Sequence, residues 1–230
     1  MALTEEFFSD RSLASEAAAQ RVADAIKQSL VDEPQAALVV SGGSTPENTF
    51  QLLADADLRW DKVHIILSDE RCVPVGHEAS NEGMIRRLLM THRAASANLV
   101  SLYENELSAE DQCGAVSEKL NSVPSPFSIS LLGMGEDGHF ASLFPDFDRL
   151  REGADPDSDL RCMLVRTAAS PHLRITLTMS TLLRCDGILL LFFGDTKRET
   201  YERAKLPDSD YPISRLLHQQ RTPVHTIWAP

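Results

Sequence analysis

His139 stands in Leu132-Gly133-Met134-Gly135-Glu136-Asp137-Gly138-His139-Phe140, a glycine-rich segment that puts a carboxylate two residues ahead of an imidazole. Asp137 in that place can fix the ring's tautomer or raise its basicity, so the pair is a candidate for general acid–base work. The same segment contains the spacing GxGxxG. A dinucleotide loop also needs an acidic residue at the end of the next strand, about 20 residues on. That region here is Glu152 to Asp159, an acidic stretch with no strand leading into it. A lone histidine is commonly structural; the Asp-Gly-His setting at an expected helix start favours acid–base chemistry over a pyrophosphate contact.

A second chemistry is offered by Ser41-Gly42-Gly43-Ser44-Thr45-Pro46-Glu47. Two glycines let a ligand approach the backbone, Pro46 suits a first helical turn, and Ser44 with Glu47 has the spacing of a capping box. Free N–H groups at a helix start beside hydroxyls form an anion site, and the alternative is a tight turn with nothing bound. Asp69-Glu70-Arg71 supplies carboxylates and a guanidinium, suited to proton transfer or oxyanion support, or else a surface ion pair. Arg174 and Lys197 are further cations within reach of such a site, and Ser80-Asn81-Glu82 reads as a plain helix start. His77, His92, His172, His218 and His225 show no metal-ligand spacing, so no metal site is expected.

The elements that must hold these segments alternate. Expected strands are Ala36–Val40, Val63–Leu67, Ile129–Leu132 and Ile188–Phe193, with shorter ones at Met163–Val165 and Val224–Trp228. Helices are expected at Ser12–Leu30, Pro46–Leu53, Asn81–Met90, Ala109–Leu120 and Lys197–Ala204, the first with Leu13, Ala17, Val22, Ala25, Ile26 and Leu30 facing inward. Fully apolar strands between helices mean a mostly parallel sheet covered on both faces, an α/β fold whose ligands bind beyond the carboxyl ends of the strands. Six acids between Asp146 and Asp159 read as a solvated loop, and residues 1–230 read as one domain.

Composition narrows the classes. The 230 residues are 43% hydrophobic and 24% charged, an ordinary folded balance that excludes disorder. With 22 Lys plus Arg against 34 Asp plus Glu the net charge is −12, which argues against nucleic acid or an anionic membrane as partner. An anionic ligand would therefore need cations gathered at one place. Met1-Ala2-Leu3-Thr4-Glu5-Glu6 has no secretory pattern, and Cys72, Cys113, Cys162 and Cys185 form no CxxC pair, so reduced thiols and a cytoplasmic location are expected.

Together these segments resemble the 6-phosphogluconolactonases over essentially the whole chain, from about Glu5 to the C-terminus. The matching motifs are Ser41 to Pro46, Asp69-Glu70-Arg71-Cys72-Val73-Pro74 with Ser80-Asn81, Leu131 to Pro145, Arg174 to Thr178, Gly194 to Lys197, and the Pro223 to Pro230 ending. The resemblance implies a modified Rossmann-like α/β fold shared with sugar-phosphate deaminases and isomerases. It implies hydrolysis of 6-phospho-D-glucono-1,5-lactone without a cofactor. No long apolar edge demands a partner, so a monomer or weak homodimer is expected. On this resemblance His139 activates water, with Asp137 and Asp69 orienting or handling protons, and Arg71 supports the oxyanion or positions the lactone. Ser41, Gly42, Gly43, Ser44 and Thr45 cradle the phosphate, and Arg174 and Lys197 neutralise it. Phe140 stands where members usually carry Thr, a change expected to alter the pocket wall, and Gly76-His77 replaces a commonly acidic pair. The rivals are a deaminase or isomerase, which carries a Glu where Phe144 stands, and a non-catalytic sugar-phosphate sensor, which should have lost His139 or its partners.

Overall fold

The computed structural model describes residues 3–230; the Met1-Ala2 start of the segment read for a secretory signal lies outside the described residues. In chain order the elements are β1 (Leu3–Phe7), α1 (Arg11–Asp32), β2 (Ala36–Val40), α2 (Glu47–Ala54), β3 (Val63–Leu67), β4 (Asp69–Arg71), α3 (Asn81–Leu88), β5 (Asn98–Val100), α4 (Ala109–Asn121) and β6 (Ile129–Leu132). They continue as α5 (Leu150–Gly153), β7 (Cys162–Val165), β8 (Arg174–Leu177), α6 (Met179–Leu182), β9 (Ile188–Phe193), α7 (Asp195–Ala204), α8 (Pro212–His218) and β10 (Val224–Ala229).

Seven strands form one sheet in the order β1-β10-β9-β6-β2-β3-β5, every pair parallel. All of β2 is buried, and β9 is buried from Ile188 through Phe192, which is what helices on both faces produce. Helix α1 starts where Asp10 accepts a hydrogen bond from the Leu13 N–H at 3.0 Å. Its inward face is Ala14, Ala18, Val22, Ile26 and Leu30. The small residues let it lie close on the sheet. Leu13, expected on that face, is 45% exposed instead. No helix among the described residues is long and apolar enough to cross a membrane.

Chain direction decides where a ligand can sit. After β2 the chain runs outward through β3 and β5; after β6, on the other side of β2, it runs the opposite way through β9 and β10. The crevice at such a switch lies beyond the carboxyl ends of β2 and β6, which are Val40 and Leu132.

A three-stranded antiparallel sheet, β4-β8-β7, was not expected. Asp69-Glu70-Arg71, read from sequence as a loop, is its first strand, and Arg71 pairs directly with Arg174 of β8. Charged residues conceal a strand when the charges serve a site rather than solvent. The acidic stretch from Asp146 is also more anchored than expected. Its six acids are all exposed, but it contains α5 and buries Phe147 and Ala154.

Candidate active site

A cleft of about 550 Å³ opens beyond β2 and β6, a volume suited to a small molecule. Its lining includes all eleven residues expected to catalyse or to bind substrate: His139, Asp137, Asp69, Arg71, Ser41, Gly42, Gly43, Ser44, Thr45, Arg174 and Lys197.

The turn after β6 is built to aim His139. Its Nδ1 lies 2.6 Å from Asp137 Oδ1, and its backbone N–H donates to the same oxygen at 3.2 Å. That contact occupies one ring nitrogen and leaves Nε2 as the other. Burial pushes the Asp137 carboxyl up, but the hydrogen bond and charge of His139 outweigh it and hold the group below the ordinary carboxylate range. A Cβ on Gly135 would sit 2.2 Å from His139 Nδ1 and 2.5 Å from Asp137 Oδ1, so the pair can form only over a glycine. Gly138 adopts φ 76° against the Tyr211 ring, and its carbonyl accepts from the Ile213 N–H at 2.9 Å. Thr200 of α7 donates to the Glu136 carbonyl at 2.7 Å, tying the turn down from a second helix. No helix begins at His139, contrary to expectation; the chain enters turns, and the next helix is α5.

The segment after β2 also departs from its expected local form. Helix α2 begins at Glu47 behind Pro46, with no side-chain cap, so the Ser44–Glu47 capping box is not made. The N–H groups of Gly43, Ser44 and Thr45 are paired with no acceptor among the described residues. Gly43 has φ 87°, a left-handed conformation that favours glycine. Ser41 Oγ is buried and unpartnered, a hydroxyl facing the same cleft. The unpaired N–H groups thus belong to a turn rather than to a capped helix.

The small sheet contributes the charges. Asp69 Oδ1 accepts from Ser68 Oγ at 3.1 Å, and Oδ2 from Ser142 Oγ at 2.5 Å and Arg174 Nη1 at 3.4 Å. Asp69 therefore holds Arg174 and makes no hydrogen bond to His139. Arg71 Nη1 donates to the Ala79 carbonyl at 2.7 Å, while the Nε atoms of Arg71 and Arg174 are buried and unpartnered. Burial and the charge of Arg71 push the Arg174 guanidinium down, against the pull of Asp69. Lys197, in the first turn of α7, is likewise pushed down by burial. Three cations thus gather at one place in a chain of net charge −12.

Three residues carry roles that the sequence did not disclose. Glu70, turned away from the cleft, is buried and accepts from the N–H groups of Arg71, Asn81 and Glu82 and the Ser80 hydroxyl at 2.6–3.1 Å. It clamps the start of α3, so Ser80-Asn81-Glu82 is more than a plain helix start. Asn81 lines the cleft, donates to the Asp69 carbonyl at 2.8 Å and lies so close to Gly42 that a Cβ there would fall 2.1 Å from its Oδ1. Phe144 stacks on His139. Phe140, expected on the pocket wall, is fully buried in the core and does not line the cleft. The family-like Ser-Asn pair was the available signal for Asn81; nothing in spacing pointed to Glu70.

Comparison with known proteins agrees with this fold. The family model described as glucosamine-6-phosphate isomerases/6-phosphogluconolactonase matches residues 9–228. A 6-phosphogluconolactonase of Mesorhizobium japonicum is 38% identical over 223 residues, covering 97% of this chain and 94% of its own. The crystal structure of a 6-phosphogluconolactonase from Shewanella baltica superposes with a TM-score of 0.95 at 34% identity, covering 100% of this chain and 98% of that one. A monomeric glucosamine-6-phosphate deaminase shares the fold, with a TM-score of 0.78 at 19% identity, over 99% of this chain and 97% of its own. The chain belongs to the glucosamine-6-phosphate isomerase/6-phosphogluconolactonase family.

Proposed function

We propose that this protein hydrolyses 6-phospho-D-glucono-1,5-lactone to 6-phosphogluconate, the second step of the oxidative pentose phosphate pathway, in the cytoplasm and with residues 1–230 acting as one unit. The observation that carries the reading is an imidazole oriented by a carboxylate, 2.6 Å apart, in one cleft with a glycine-rich anion cradle and three cations. The Mesorhizobium japonicum relative and the Shewanella baltica structure both carry the name 6-phosphogluconolactonase.

In this mechanism His139 Nε2 takes a proton from water as the oxygen attacks the lactone carbonyl carbon. The tetrahedral oxyanion forms within reach of Arg71. When the bond from that carbon to the ring oxygen breaks, the imidazolium returns its proton to the leaving oxygen. Asp137 orients the imidazole, and Asp69 orients Arg174. No atom changes oxidation state, so the reaction calls for no redox cofactor. The phosphate, held by Ser41 to Thr45 with Arg174 and Lys197, positions the ring from a distance and can lower the chemical barrier by doing so. Proton shuttling between adjacent carbons, as in a deaminase or isomerase, would ask for a second acid beside the imidazole, and Phe144 occupies that place.

The test follows freshly generated lactone with an NADP-dependent 6-phosphogluconate dehydrogenase as reporter, and compares it by acid release with glucono-1,5-lactone lacking the phosphate. A rate well above spontaneous opening, with strong preference for the phosphorylated lactone, is expected. A rate equal to spontaneous opening overturns the assignment, and glucosamine 6-phosphate becomes the next substrate to try.

A further inference from the structure

The Phe144 ring meets both an imidazole and a guanidinium of the site. It stacks on His139, centroids 4.0 Å apart and planes inclined by 28°. The Arg174 guanidinium carbon lies 5.1 Å from the centroid of the same ring. The imidazole is tied to Asp137 and the guanidinium to Asp69, so each group that meets the phenyl ring is itself held by a carboxylate. Phe144 is 3% exposed and the His139 side chain about a quarter exposed, at 27%.

The backbone between the two rings is bent to make this contact. Ala141 adopts φ 48°, in the left-handed region that residues bearing a side chain rarely enter. Such an outlier beside a reacting group is worth a functional explanation. Here it belongs to the bend that returns the chain over His139, and Ser142 within that bend donates to Asp69. Hydrogen bonding to Asp137 fixes where Nδ1 points but leaves the ring free to rock about that contact. A flat apolar surface across one face removes that freedom, leaving Nε2 in one direction and water only the other face and the edge.

We propose that Phe144 is a positioning residue for the hydrolysis: its ring, stacked on His139 and in contact with the Arg174 guanidinium, sets the plane of the imidazole. The role rests on the lactonase reading, since it concerns the base of that reaction. It does not touch the reacting atoms.

The test compares wild type, Phe144→Leu and Phe144→Tyr, each checked by thermal melting. The Leu variant keeps apolar bulk without a flat face, and the Tyr variant keeps the face. Expected for Phe144→Leu is a kcat lower by about 10–100-fold with KM within about threefold, the pattern of a misaimed group rather than lost binding. Phe144→Tyr should restore most of kcat. Independently of substrate, proton NMR of wild type should show the His139 ring protons displaced upfield by the phenyl ring current, a displacement retained in Tyr and lost in Leu. Imidazole protons at ordinary positions in the wild type overturn the stack, even if a variant fails to fold. A Leu variant with wild-type kcat, or a Tyr variant as slow as Leu, overturns the positioning role. Absence of lactonase activity in the wild type defeats the functional reading and this role with it, and is told apart by an NMR stack that persists.

Discussion

His139 and Asp137 meet at 2.6 Å across a single turn, and the space they meet in is the missing side chain of Gly135. Two residues apart in sequence, they face each other because the chain doubles back, with the Gly135 N–H donating to the His139 carbonyl at 2.9 Å. Gly135→Ala should therefore abolish most activity while leaving the fold intact, because the new methyl occupies the position of the pair. Lactonase assay alongside thermal melting checks this. An active alanine variant would mean that the pair is dispensable.

Asp137 gives a pH-dependent consequence. Its carboxyl is held below the ordinary range in the folded protein, so its contribution to stability is fully present above the unfolded value of about 3.9 and is lost as pH falls through the lower folded value. Wild type should melt above Asp137→Asn at neutral pH, and the gap should narrow steadily as pH is taken below about 4. A gap independent of pH would show that charge is not what the contact contributes.

Glu70 tests the scaffold behind the site. Each of its oxygens accepts from two donors, so the amide of Glu70→Gln must turn its NH₂ toward one of those pairs. Two buried donors left unmet cost about 2–4 kcal/mol. Chemical denaturation should register that loss, together with weakened activity as the start of α3, and Asn81 with it, loosens. An unchanged midpoint would contradict the clamp.

The thiols differ in environment. Burial pushes Cys72 up to about 11, and Cys185 likewise to about 11. The hydrogen bond from Cys162 draws Cys113 down against the effect of burial, while Cys162 itself is pushed far up by that partner and by burial. Alkylation near pH 8 followed by peptide mapping should find Cys113 modified first. Cys72 is half-buried like Cys113, so its earlier modification would mean that access rather than thiolate character decides.

Much of this was legible beforehand, for identifiable reasons. The central strands are unbroken apolar runs, as a sheet covered on both faces requires, and all eleven expected site residues line one cleft because the sheet's switch point gathers the ends of β2 and β6. What escaped notice depends on contacts far apart in sequence. Strand β4 is three charged residues, and β1 is a half-exposed edge. Glu70's partners lie across a loop, and Asn81's closeness to Gly42 spans 39 positions. His139 was expected at a helix start because glycine-rich loops after strands commonly lead into helices; this one is closed by α7 and α8 instead.

The central claim is that His139 is the base. Wild type and His139→Ala should be compared on fresh 6-phosphogluconolactone slightly below neutral pH, with the spontaneous rate measured in parallel. Wild type should show a large excess over spontaneous opening that falls by at least about 100-fold in the variant. An excess that survives the substitution would keep the lactonase and contradict the role given to His139.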